Sequence, residues 1–515
     1  MNVRSLALGL ARELFLTRPG VRPVRQALAW LIVVSAAVLV LYGPALFRRV
    51  PFYPDAHAAM ALELAINAEY CDRFAVVDPR PYRLATLLEY KADARRRALS
   101  ELAGERDGSL AGYCRALGVS FLNNENATML LMRLPMRFSR SLTADGLGLF
   151  LACFRVGGIL LFGYTLLVCG ASALLTLGLL MVVADVQADL QYAGFSMYPL
   201  FVPILVSVAS LYVLAARAAP RLDRAALLAT LVVFGGITAF CSNLRTSHTP
   251  IYAAFFVAYA AAVPGRARSR WPRWSWPLLS AACFALGLAA FNRAAIRPLV
   301  PPVPVTNAAH HPVFHPLVLA LAIPSNRISR GHGIAWDDSV GLKLAQSMVP
   351  DAQYLGPGHE AGLFLFYAKL WMLYPAAMRK VYVDKLDLAG RGMFIGPAKV
   401  ETVEQDVSRM LSWPGVVPRG RVLQALYLLV CAVAAWAYVR YKHLLALLAA
   451  LLALAAVLMH LESALIMSEF RIAYHSYLLV FTAAAVLAAG QSVVDGVAAL
   501  LRGRRHPSPS AILVS

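Results

Sequence analysis

Charge is what this chain has little of. Asp, Glu, Lys and Arg make up 15% of its 515 residues, against roughly 25% in an average soluble domain. Hydrophobic residues reach 59%, and the mean hydropathy is +0.62. That excess is too large for a core to hide, so most of the chain must face lipid. A soluble enzyme with a tail, a disordered scaffold and a disulfide-stapled secreted module are excluded. Acid is the scarcer sign, with 28 Asp and Glu against 48 Lys and Arg, a net charge of +20. Familiar catalytic signatures are missing too: no GxxxxGK[ST] phosphate loop, no GxSxG elbow and no HExxH helix occurs. ATP-driven transport and zinc hydrolysis therefore have no sequence basis. Nucleic-acid binding has none either, because the basic residues are dispersed over loop after loop, and no internal repeat stands out.

What is present is a series of apolar runs. Crossing ~30 Å of hydrocarbon takes about 20 residues at 1.5 Å each. Ten runs qualify: 27–46, 147–168, 171–187, 195–215, 225–242, 250–264, 276–292, 421–439, 444–461 and 473–490. The third and sixth are short. The positive charges cluster between these runs. Arg4, Arg12, Arg18, Arg22 and Arg25 precede the first, and Arg217, Arg221 and Arg224 follow the fourth. Arg266, Arg268, Arg270 and Arg273 follow the sixth, Arg440 and Lys442 the eighth, and Arg502, Arg504 and Arg505 the tenth. All fall on one side if the N-terminus is cytoplasmic, as the positive-inside rule requires. The first run starts late and lacks a small-residue cleavage site, so it reads as a retained span.

The expectation is an all-α polytopic membrane protein of about ten transmembrane helices with two large outer-face loops. Its parts are a cytoplasmic N-terminus (1–26), spans one to seven (27–292) enclosing an outer loop at 47–146, a second outer region (293–420), spans eight to ten (421–490) and a cytoplasmic tail (491–515). In the second region, Leu363–Met378 is mostly apolar, interrupted by Lys369, and Pro312–Ile323 is apolar but too short to cross. Five of the seven cysteines lie in or at the end of spans, where a thiol acts as a small hydrophobe. Cys71 and Cys114 share the first outer loop, where an oxidising compartment permits a bridge.

The loops hold the residues with chemistry to offer. Directly after the first span comes Val50-Pro51-Phe52-Tyr53-Pro54-Asp55-Ala56-His57. An Asp in an aromatic, Pro-rich turn at a membrane edge is partly desolvated, which suits it to act as a base on a hydroxyl. Asp55 is equally placed to cap a helix starting at Ala56. Asp185 and Asp189 end the third span four residues apart, so they share a helix face. Glu63, Glu69 and Glu125 read as solvated faces or caps. Arg245 and Arg293 sit at short outer span ends, where an Arg can hold a lipid phosphate.

The densest polar group is His310-His311-Pro312-Val313-Phe314-His315, Pro324-Ser325-Asn326-Arg327 and Gly331-His332-Gly333-Ile334-Ala335-Trp336-Asp337-Asp338. Its spacing matches no zinc motif. It reads either as a grip on sugar hydroxyls and phosphate or as a loop lying on the membrane at headgroup level. His57, Arg245, Arg293, His315, Arg327, His332, Trp336, Asp337 and Asp338 are the candidate substrate contacts.

An acid in the first outer loop resembles the GT-C class of membrane glycosyltransferases, which includes aminoarabinose and protein mannosyl transferases. The run from Asn124-Glu125-Asn126-Ala127 to Phe150-Leu151-Ala152-Cys153-Phe154-Arg155-Val156-Gly157-Gly158 resembles the end of that loop and the Arg-containing second span of bacterial members. Asp185 and Asp189 stand where the class often has a second acid. The resemblance covers roughly the first half of the chain and is positional. It implies a bacterial inner membrane location and a sugar donor linked to polyprenyl phosphate. The acceptor is then a glycan, lipid or protein, with Asp55 as general base and Asp185 and Asp189 beside it. Asp55 is followed by Ala-His rather than a second acid, a departure from the common paired-acid motif that leaves metal dependence open. A divalent cation is the one cofactor candidate. Two alternatives stand beside this reading. One is a non-enzymatic flippase, transporter or assembly subunit for lipid-linked glycans, disfavoured by span interiors nearly free of ionisable residues apart from Arg155. The other is an O-antigen-ligase-like polymer transferase relying on His315, Arg327 and His332.

Overall fold

Residues 444–456 are nothing but Leu and Ala, which helices accommodate at little cost in side-chain entropy. In lipid such a segment must satisfy its backbone internally, and a helix does so. The computed structural model of the chain describes residues 22–46, 67–69, 71–72, 90–91, 111, 114, 127, 130–131, 133–135, 141–142, 144–189, 198–244, 248–263, 272, 274–299, 313–354, 358–392, 420–466 and 473–501. These residues form an all-helical bundle, apart from a two-residue antiparallel ladder pairing Tyr90 with Leu142.

The bundle helices are α1 (Val24–Leu46), α2 (Ala144–Val168), α3 (Ala173–Asp189), α4 (Tyr198–Ala218), α5 (Arg224–Leu244), α6 (Thr249–Ala262) and α7 (Ser275–Phe291). Short helices α8 (Phe314–Leu319), α9 (Arg327–His332) and α10 (Asp338–Gln346) follow, then the bent pair α11 (His359–Leu373) and α12 (Pro375–Gly392). The last three are α13 (Gly420–Tyr441), α14 (Leu444–Ile466) and α15 (Ala473–Leu501). Each of the ten expected runs contains a helix. Among the described residues, 7 helices are long and apolar enough to cross a membrane, or 8 if the bent pair counts as one. The third, sixth and tenth runs contain shorter apolar helices, Ala173–Asp185, Thr249–Ala262 and Phe481–Val497. The chain has the character of a multi-pass membrane protein.

Local signals set the tight turns. Gly170, at φ 93°, ends α2 in a Schellman pattern: Ala171 N–H donates to Leu166 O at 3.0 Å and Gly170 N–H to Leu167 O at 3.1 Å. Ser172 then caps α3, its Oγ accepting from Leu175 N–H at 3.1 Å. Asp223 does the same for α5, accepting from Ala226 N–H at 2.7 Å. α14 lies deepest, packed against α4, α6, α13 and α15, whereas α1, α7 and α13 turn most of their surface outward. α5 and α7 touch backbone to backbone. A methyl on Gly235 would strike the carbonyl oxygen of Phe284, and one on Gly287 that of Val232. Small residues of this kind allow helices to approach closely in lipid.

Contacts between helix ends sort into two levels. At one level Arg22 N–H donates to Val168 O (3.2 Å), Tyr438 Oη to Ala262 O (2.6 Å) and Trp276 Nε1 to Ala260 O (3.1 Å). These join the start of α1 to the end of α2, and the end of α6 to the end of α13 and the start of α7. At the other level the end of α5 meets the end of α7, with Asn243 Nδ2 donating to Asn292 Oδ1 at 2.9 Å. Up-and-down alternation of the bundle helices accounts for both sets. Arg22, Arg217, Arg221, Arg224, Arg440 and Lys442 all belong to the first level, hereafter the basic end.

Candidate functional site

The opposite end gathers polar groups that the apolar helix bodies exclude. At the end of α1, Tyr42 lies near the exposed Asp185 carboxylate at the end of α3, close enough to feel its charge. At the start of α6, buried His248 places Nε2 at 3.8 Å from Glu462 Oε2, near the end of α14. Two residues before Glu462, buried His460 meets Leu386 O of α12 through Nε2 at 3.2 Å, with the Tyr427 ring of α13 edge-on to it. Lys385 Nζ of α12 donates to Leu465 O at 2.9 Å. A cation on the last carbonyls of a helix is favoured by the helix dipole. Lys385 is fully buried, and burial pushes its ammonium down to about 7.

Beside this end lies the first long connection. Arg133 Nε donates to Glu69 Oε2 at 2.8 Å, and Arg133 Nη2 reaches Asp72 Oδ1 at 3.4 Å. Glu69, read from sequence as a solvated carboxylate or cap, is instead half of an ion pair that buries Arg133. Cys71, next to Asp72, is bridged to Cys114 with a Cα–Cα distance of 5.4 Å. Leu130, Leu131, Arg133 and Leu134 join Phe240 of α5 and Phe291 of α7 around a mostly apolar cavity of about 190 Å³. Arg293, in the π-helical turn Asn292–Ile296 that continues α7, is exposed.

The second long region folds into a helical module with its own core of Val318, Leu321, Ile328, Leu344, Leu363 and Phe366. Its polar residues mostly hold that module together. The Glu360 carboxylate accepts from Val313 N–H (2.8 Å), Phe314 N–H (2.9 Å) and His315 N–H (3.1 Å), and so caps α8 from 45 residues away. His315 Nδ1 and His359 Nε2 lie 3.0 Å apart, both rings buried and both edge-on to Tyr354. One ring donates and the other accepts, so their tautomers are mutually fixed. α10 fits against His315 because residue 341 is glycine: a methyl there would sit 2.7 Å from His315 Cε1. Asn326 caps α9 in a reciprocal pair with Ser329. Asp337 caps α10, accepting from Ser339 N–H at 2.7 Å, and the Ser339 bonds hold its carboxyl below the usual range.

Of the sequence candidates, Asp55, His57 and Arg245 lie outside the described residues, as do the side chains of Asp189 and Asp338. Asp185 and Arg293 both fall at the opposite end, on α3 and just beyond α7. His315 is buried in the module. Arg327 is exposed in the first turn of α9, His332 lies against Phe366 and Tyr374, and Trp336 is exposed. These late-loop residues share one module without converging on one point. His359, Glu360, Lys385 and Arg133 are among the polar residues that sequence reasoning missed. Their partners lie 44 to 80 residues away, and only Glu360 carries a local sign, as an acid in the first turn of a helix. Among the described residues no three His, Cys, Asp or Glu converge to hold a metal ion. No protein family model, characterised protein or solved structure matches this chain.

Proposed function

We propose that the chain is a membrane glycosyltransferase of the GT-C type with ten spans, seated in a bacterial inner membrane with both termini cytoplasmic. The basic end then faces the cytoplasm and the opposite end carries the site. The donor is a sugar on polyprenyl phosphate, reaching the site laterally from lipid, and the acceptor is a hydroxyl of a glycan, lipid or protein. In this reading Asp55 removes the proton from the acceptor hydroxyl as its oxygen attacks the anomeric carbon with inversion. Arg245, Arg293 or Arg327 takes the charge developing on the departing phosphate. The observation that carries the reading is the packing of α1 on α3, with Tyr42 beside Asp185. It brings together the ends of α1 and α3, the helix that leads into Asp55 and the helix that bears the second acid. A flippase or assembly subunit would leave envelope glycans dependent on the protein but not on Asp55.

Complementation separates these cases. Cells lacking the protein lose one envelope sugar, detected by mass spectrometry of extracted lipids and glycans. The wild type restores it, whereas Asp55→Asn, inserted at normal levels, does not. Full restoration by Asp55→Asn overturns the mechanism.

A further inference from the structure

Helix α11 departs from the pattern of a helix on a water-soluble module. One face, Gly362, Leu363, Phe366 and Leu370, is buried in the module core. The face turned away is apolar as well: Phe364 is 49% exposed, Leu365 44%, Met372 76% and Leu373 57%. A helix hydrophobic all round belongs inside a large core or in lipid. α11 and α12 together are apolar enough for a span, yet they bend by 107° at their junction. Pro375 sets that bend, since it cannot continue the ladder of α11 but suits the first turn of α12. The 15 residues of α11 rise only about 22 Å, short of the ~30 Å hydrocarbon core.

Two further observations fix what covers this face. The far half of α12 is tied to the end of a span, through Lys385 to Leu465 O and Leu386 O to His460, so the pair sits at a membrane boundary. Between residues 361 and 383 the charges are Lys369, Arg379 and Lys380, all exposed; Lys380 is paired with Asp384 at 2.6 Å, which leaves Lys369 and Arg379 as the positive groups near the bend. Tyr367, Trp371, Tyr374 and Tyr382 surround the bend, and Trp and Tyr favour the headgroup level. Lys369 lies on the outward face between Leu365 and Leu373, and a lysine there snorkels its ammonium to the headgroups, so the elbow suits an anionic leaflet.

We propose that the α11–α12 elbow is a re-entrant anchor. It enters the leaflet at the C-terminal end of α14, buries Phe364, Leu365, Met372 and Leu373 in lipid, and returns to the same face. The anchor rests on the membrane-spanning character of the chain and stands whether or not sugar transfer is observed.

Spin labels test it in the full chain, with the five free cysteines replaced by alanine and the protein reconstituted in phosphatidylethanolamine–phosphatidylglycerol vesicles. A label at Met372→Cys, and independently at Leu365→Cys, is expected to collide with oxygen and to be shielded from a water-soluble nickel chelate. A label at Asp351→Cys, in an exposed turn of the same module, is expected to meet the chelate. Asp351→Cys and Asp384→Cys are expected to react with an impermeant maleimide from the same side. Chelate access at both elbow positions overturns the proposal. Shielding from both probes does so as well, since it means that a second copy covers the face, and so does reaction of 351 and 384 from opposite sides.

Discussion

Glu360 accepts three backbone hydrogen bonds, and it serves a helix that begins 46 residues before it. Glu360→Ala leaves three amides at the start of α8 without an acceptor, at an expected cost of about 1–2 kcal/mol. Hydrogen exchange localised to 313–319 checks this, with Glu360→Gln expected to recover part of the protection. Asp337 adds a pH dependence of known sign. Its carboxyl titrates below the ordinary 3.8 when folded, so the folded state binds the proton less readily than the unfolded chain. The cap on α10 is therefore at full strength above that value and is lost as pH falls through the folded one. Exchange at the Ser339 amide should accelerate over that acid range in the wild type, while Asp337→Asn removes the dependence. Neither the Glu360 cap nor the His315–His359 pair was legible beforehand. Helical periodicity reports neighbours three and four apart, and nothing in it encodes a partner 44 residues away.

At the scale of elements, the sequence was far more readable. Each of the ten runs contains a helix because an apolar segment has few other ways to satisfy its backbone. Gly170, Ser172 and Asp223 mark turns by the same caps that serve soluble helices. The bent pair was harder to foresee. Lys369 interrupts its hydropathy, and Pro375 signals a break without fixing the angle. α10 and α11 also depended on distant neighbours for their placement. Close packing of α5 on α7 gives the sharpest element-scale test. Gly287→Leu pushes a side chain into the backbone of α5, and overpacking typically costs about 1–3 kcal/mol. Thermal unfolding in detergent should show a marked fall in midpoint, with Gly236→Ala, where a methyl stays 3.9 Å from the nearest neighbouring atom, close to wild type.

Across the whole molecule, charge and contact geometry divide the bundle in the same way, although one comes from sequence and the other from side chains. The basic end holds Arg22, Arg217, Arg221, Arg224 and Arg440, and the opposite end holds Asp185, Arg293, His248, Glu462 and Lys385. In the proposed orientation, an impermeant thiol reagent added to the outer face labels Arg293→Cys and spares Asp223→Cys until the membrane is opened. The reverse pattern inverts the molecule and removes the outer site.

Transfer itself is tested most directly by donor consumption in proteoliposomes. The purified chain is incubated with a panel of radiolabelled polyprenyl-phosphate hexoses and pentoses, together with an envelope extract as acceptor, and the release of free polyprenyl phosphate is measured. One donor should be consumed with sugar appearing on the acceptor in equal amount, and Asp55→Asn should abolish this while remaining folded and inserted. Turnover by Asp55→Asn equal to wild type, or every donor left intact by the wild-type proteoliposomes, would contradict the assignment.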